Sequence, residues 1–95
     1  MEITDIRIRK LTRVGKMLAI VSVAFDNVFV VHDIKIINGE NGLFVVMPSK
    51  QNPSGEFRDI CHPIDTDFRA KISDAIIDKY NLTVYSEEVA ATLDS

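Results

Sequence analysis

Residues 17–37, MLAIVSVAFDNVFVVHDIKII, decide the fold. Two apolar runs flank Asp26-Asn27, and both of these residue types tolerate the left-handed backbone that a tight two-residue reversal needs. Met17 to Phe25 is nearly continuous in hydrophobic and small residues, as a central strand requires. Val28 to Ile37 is rich in β-branched residues and reads as its antiparallel partner. The stretch therefore predicts a hairpin at the middle of a sheet.

Working outward, Ile3 to Leu11 (ITDIRIRKL) alternates, with Ile6 and Ile8 on one face and Arg7 and Arg9 on the other. That period of two marks a half-buried strand. On the other side, Asn38-Gly39 and Asn41-Gly42 supply a turn, and Leu43 to Met47 forms a fourth, shorter strand that Pro48 ends by removing a ladder donor. The period then changes. Phe68, Ile72, Ala75 and Ile76 fall at i, i+4, i+7 and i+8, one stripe of an amphipathic helix. Asp65 or Thr66 caps its start, Asp67 suits the dipole there, and Asn81 stands where a left-handed C-terminal residue is expected. Ser86-Glu87-Glu88 can cap a second short helix carrying Val89 and Leu93. The expected fold class is α+β: a four-stranded antiparallel β-meander packed by one C-terminal amphipathic helix, plus a short terminal helix. Residues 1–82 form the single domain, and residues 83–95 form a tail.

A chain of 95 residues makes one domain with a thin core, so a deep pocket would need a second subunit. The composition is that of a folded domain. The single cysteine, Cys61, excludes an intrachain disulfide and a cysteine-rich zinc site, and it fits a reducing, cytoplasmic setting. No leader and no membrane-length apolar run is read, so membrane insertion is not expected. The net charge of −3 conceals an uneven distribution: residues 1–25 carry five basic groups against two acidic, the rest six against twelve. A local basic patch on an acidic protein engages phosphate weakly and in a salt-sensitive way.

The segment Asn41 to Ile64, NGLFVVMPSKQNPSGEFRDICHPI, leaves a strand for a long, polar, proline-punctuated excursion without helical pattern. Loops beyond about 12 residues are uncommon in compact domains and tend to bind something or act as lids. Lys50 and Arg58 attract phosphate, Ser49, Gln51, Asn52 and Ser54 can hydrogen-bond to it or to base edges, and Phe57 can stack on an unpaired base. The competing reading is a turn-rich loop that packs Phe57 into the core. The basic stripe of Arg7, Arg9, Lys10, Arg13 and Lys16 is either the solvated guard of an edge strand or a phosphate-tracking surface. His32-Asp33 and Cys61-His62 are the only places to look for acid–base, nucleophilic or metal chemistry. Neighbours in a strand face opposite ways, so adjacency makes no dyad. No phosphate-binding glycine pattern, metal motif or nucleophile elbow is present, so neither an enzyme nor a cofactor or metal is expected.

FDNVFVVHDI at 25–34 and the 41–64 segment together closely resemble the stage V sporulation protein G (septation protein SpoVG) family of small bacterial regulators, over roughly residues 1–80. In that family the loop reads like MPSKR followed by a proline-containing GEFRDI-like segment. Pro48, Ser49, Lys50, Gly55, Phe57, Arg58, Asp59, His62 and Pro63 match. Gln51 departs, a neutral amide where many members carry a second basic residue. The resemblance implies DNA and RNA binding through this region, a homodimer with sheets extended across subunits, and roles in sporulation, septation, cell division and gene regulation. The leading expectation is thus a homodimeric cytoplasmic nucleic-acid-binding regulator that prefers certain sites, using Lys50, Gln51, Arg58, Ser49, Asn52, Arg7 and Arg9. The alternative is a protein-interaction adaptor at the division septum, with septum or regulatory proteins as partners and incidental nucleic-acid contact.

Overall fold

The computed structural model describes residues 1–12 and 15–93, with side chains through Ser86. Strands β1 (Ile3–Leu11), β2 (Met17–Phe25), β3 (Phe29–Gly39) and β4 (Gly42–Val46) form one antiparallel sheet in the order β1-β2-β3-β4. The short strands β5 (Ser49–Gln51) and β6 (Phe57–Asp59) form a separate hairpin, and α1 (Thr66–Leu93) follows. The expected α+β class and four-strand meander are what the chain adopts. Asp26 and Asn27 both take left-handed backbone, with φ of 53° and 57°, and the Val28 N–H donates to the Phe25 carbonyl at 3.0 Å. The amino-terminal segment is tied to this turn, since the Glu2 N–H donates to Asp26 Oδ1 at 2.8 Å.

One face of the sheet is dry. Ala19, Val21, Val23 and Phe25 of β2 and Ile34 and Ile36 of β3 meet Ile72 and Ile76 of α1, all buried, with Phe68 and Tyr80 packed beside them. The stripe at 68, 72, 76 and 80 repeats every four residues, which keeps one side of the helix on the sheet. Asp65 caps the helix: its Oδ2 accepts from the Phe68 N–H at 2.8 Å, satisfying one of the unpaired amides of the first turn.

Several expectations are corrected. The helix does not stop at Asn81, nor does a second one begin near Ser86, because α1 runs unbroken from Thr66 to Leu93. Asn81 has no glycine or proline after it to break the intrahelical ladder, so a residue type that permits a terminus does not impose one. Val89 and Leu93 have side chains outside the described set, and Arg13 lies outside the described residues altogether. At about 1.5 Å per residue, 28 residues span roughly 42 Å, longer than any strand beneath them. Strict alternation also fails in four places, where bulges or irregularities interrupt the pairing: between Ile3 and Asp5 and between Ile8 and Lys10 in β1, between Met17 and Ala19 in β2, and between Val21 and Val23 opposite His32-Asp33. Asp33 there has φ of 63°, a conformation aspartate tolerates better than most residues. No helix among the described residues is long and apolar enough to cross a membrane.

Candidate nucleic-acid interface

The excursion after β4 is a hairpin rather than an irregular loop. The sequence NPSG at 52–55 makes its turn: Asn52 Oδ1 accepts from the N–H groups of Ser54 (3.1 Å) and Glu56 (2.9 Å) and from the Ser54 hydroxyl (2.9 Å). Pro53 presets its own φ, and Gly55 supplies the left-handed angle of 91°. The Asn52 N–H donates to the Glu56 carbonyl at 2.8 Å and the Ile60 N–H to the Pro48 carbonyl at 2.7 Å, closing the arm at tip and base.

The register is Ser49 opposite Asp59, Lys50 opposite Arg58 and Gln51 opposite Phe57. Directly opposed residues share a face, so Lys50 and Arg58 project together from one side, with Gln51 and Phe57 on the other. All six are exposed. Like charges opposed in this way destabilise a strand pair by about 0.2–1 kcal/mol, and the only ion pair among the described residues is elsewhere, between Arg7 and Asp5. The pair therefore presents an unneutralised double cation, the geometry that suits a bridging anion such as phosphate. Phe57 is 70% exposed, so it does not serve the core. Two of the expected ligand-reaching side chains have other work: Asn52 organises the turn, and the Gln51 amide donates to the Gly55 carbonyl at 3.2 Å.

Arg7 and Arg9 are not gathered with Lys50. They sit on β1, the opposite edge of the sheet from the β4 strand that leads into the hairpin, three strand spacings or about 14 Å away across the sheet. The Arg7 Nε–H donates to Asp5 Oδ2 at 2.9 Å, and this bond outweighs desolvation and, with the guanidinium charge, holds the exposed Asp5 carboxyl below its ordinary value. The Arg9 Nε–H donates to Ser22 Oγ at 3.3 Å, and Ser22 Oγ lies 2.8 Å from His32 Nδ1. Sequence reading overlooked this Arg9–Ser22–His32 group. A lone polar Ser22 inside an apolar strand was its one available signal.

Cys61 is half-buried and His62 exposed, with His62 Nδ1 3.2 Å from the Pro63 carbonyl oxygen. Both line a groove of about 490 Å³ between the sheet and the start of α1, whose walls include Phe25, Phe29, Met47 and Phe68. Among the described residues no three histidine, cysteine or acidic side chains converge as metal ligands would.

A family model described as SpoVG matches residues 1–82. Among curated relatives, a protein of Clostridium novyi named "Putative septation protein SpoVG" is 63% identical over 82 residues, covering 86% of this chain and 82% of the relative. One of the same name from Acetivibrio thermocellus is 65% identical over 80 residues, covering 84% and 85% of the two chains. Another from Caldicellulosiruptor saccharolyticus is 57% identical over 88 residues, covering 93% of this chain and all of the relative. With the family pattern running from β1 through the β5–β6 arm and most of α1, this chain belongs to the SpoVG family.

Proposed function

We propose that the chain is a nucleic-acid-binding regulator of the cytoplasm, associated with septation and sporulation, whose β5–β6 hairpin grips phosphates of DNA or RNA. The observation that carries the reading is the direct opposition of Lys50 and Arg58 on one exposed hairpin face. A pair that costs stability in the free protein is neutralised by the ligand it binds. The association with septation rests on the names of the relatives. Phosphate contacts position a protein without reading sequence, so Phe57, exposed on the hairpin's other side opposite Gln51, is assigned the contact with an unpaired base where the ligand is single-stranded. A homodimer belongs to this reading. The edges β1 and β4 each leave a row of backbone groups for another strand, and two hairpins double the phosphate contacts.

A second reading, the septum adaptor, draws on a different feature: the groove lined by Phe29, Cys61 and Ile64, the last of which is 95% exposed. Apolar patches of that kind mark interaction surfaces. The deciding experiment is a gel-shift titration across salt with wild type, Lys50→Ala and Gln51→Arg, on duplex DNA and single-stranded RNA. With Lys50 and Arg58 of each hairpin meeting one phosphate each, about 4 are contacted per dimer, and log affinity falls with log salt at a slope of about −3.6 on the duplex. Lys50→Ala flattens that slope by about 2. Gln51→Arg steepens it. Affinity indifferent to both substitutions removes the hairpin from the interface and leaves the adaptor reading in its place.

A further inference from the structure

α1 covers only one face of the sheet. The pairing register puts Ile20 and Lys35, Ile37 and Phe44, and Ala24 and Val30 on the other face, and none of these packs against the core cluster. Phe44 and Val30 are each 47% exposed. Three details make this more than an unfinished surface. The β1 bulge puts Arg9 and Lys10 on the same open face as Arg7, where strict alternation would have sent one of them to the core. Ser22, 4% exposed, anchors the Arg9 guanidinium on this face, and Arg7 is held by Asp5. The Phe44 ring lies down on Gly39, so closely that a Cβ on that glycine would stand 2.7 Å from Phe44 Cε1. The ring thus rests its Cδ1–Cε1 edge against the glycine backbone while the side chain stays half-exposed.

We infer that this open sheet face is a second nucleic-acid surface, separate from the hairpin, that takes a single strand: bases lie on Phe44 and the adjoining Ile37 and Ile20, and phosphates run along Arg7, Arg9, Lys10 and Lys35. Duplex bases are stacked on one another and cannot use a flat aromatic platform, whereas unpaired bases can. Charge selects this occupant over a second copy of the chain. In a protein of net charge −3 the face carries these four cations, with Asp5 and the bulge residue Asp33 as the acids beside them, and a face-to-face copy would set the cations against their own kind.

The test is fluorescence anisotropy of a labelled 12-nucleotide oligouridylate and of a duplex of the same length. The proteins are wild type, Phe44→Leu, Gly39→Ala, the double variant Arg9→Gln/Lys10→Gln, and Lys50→Ala, with thermal melts and light scattering on each. Phe44→Leu keeps the apolar contact but loses the π-face, and Gly39→Ala lifts the ring. Each weakens single-strand binding by about tenfold and leaves duplex binding in place. The double variant flattens the single-strand salt slope by about 1.4 per chain. Unchanged single-strand affinity in both Phe44→Leu and the double variant overturns the inference. So does a shift from dimer to monomer in Phe44→Leu with affinity intact, which would make a second copy the occupant. Lys50→Ala keeps the two proposals apart: its effect on duplex binding decides the hairpin reading whatever the Phe44 variants do.

Discussion

Arg58→Gln is expected to stabilise the protein while weakening its binding, opposite signs that a purely structural residue cannot give. The substitution removes one charge from the opposed Lys50–Arg58 pair and keeps an amide of similar reach. Side chains directly across a strand pair start about 5.5 Å apart, where two unit charges in water repel by about 0.8 kcal/mol. Physiological salt halves that, to about 0.4 kcal/mol. For a domain of this size the gain is about 2 °C in Tm, larger at low ionic strength. Binding moves the other way. Each lost phosphate contact reduces affinity about eightfold at 0.1 M salt relative to 1 M, so the two copies in the proposed dimer lose about 60-fold. Differential scanning calorimetry and a gel shift at matched salt read the two quantities. A Tm that falls together with affinity would make Arg58 a structural group, and affinity unchanged within threefold would remove the opposed pair from the interface.

Asp65→Ala removes the helix cap and is expected to cost about 1 kcal/mol, lowering Tm by about 4–8 °C while leaving nucleic-acid affinity alone; thermal melts and a gel shift check both. The Asp5 carboxyl, held down chiefly by the Arg7 hydrogen bond, titrates below the ordinary carboxylate value of about 3.9, so its contribution is complete above that pH and disappears as pH falls through the lower folded value. A carbon-detected NMR titration should show that midpoint move upward in Arg7→Ala. Cys61→Ser and His62→Gln are expected to leave nucleic-acid affinity within about threefold, since both residues line the apolar groove rather than the hairpin face; a large loss in a folded variant would reopen the search for chemistry there.

Periodicity carried the fold a long way. Apolar runs on either side of Asp26-Asn27 and the four-residue stripe from Phe68 to Ile76 specify which groups go inside, and burial enforces them. What periodicity could not show were the places where one residue is added. The bulges at Arg9 and at His32-Asp33 change which face a side chain meets, and they depend on pairing between strands, which no single strand's pattern contains. The length of α1 was missed for a related reason: Asn81 permits a terminus, but only a competing turn or missing donor would impose one. In the hairpin, the charges of Lys50 and Arg58 were visible, but their opposition depends on a turn of fixed length, set by Asn52, Pro53 and Gly55. The same turn explains why Asn52, read as a ligand-reaching side chain, faces inward on its own backbone.

The central claim is that the hairpin meets phosphate, and amide chemical-shift mapping with a short DNA duplex tests it most directly. The account predicts that, as duplex is added, the largest changes fall on Lys50, Gln51, Phe57 and Arg58, and that raising salt reverses them. Changes confined to Phe29, Cys61, Ile64 and Phe68 around the groove, with the hairpin amides unmoved, would contradict it.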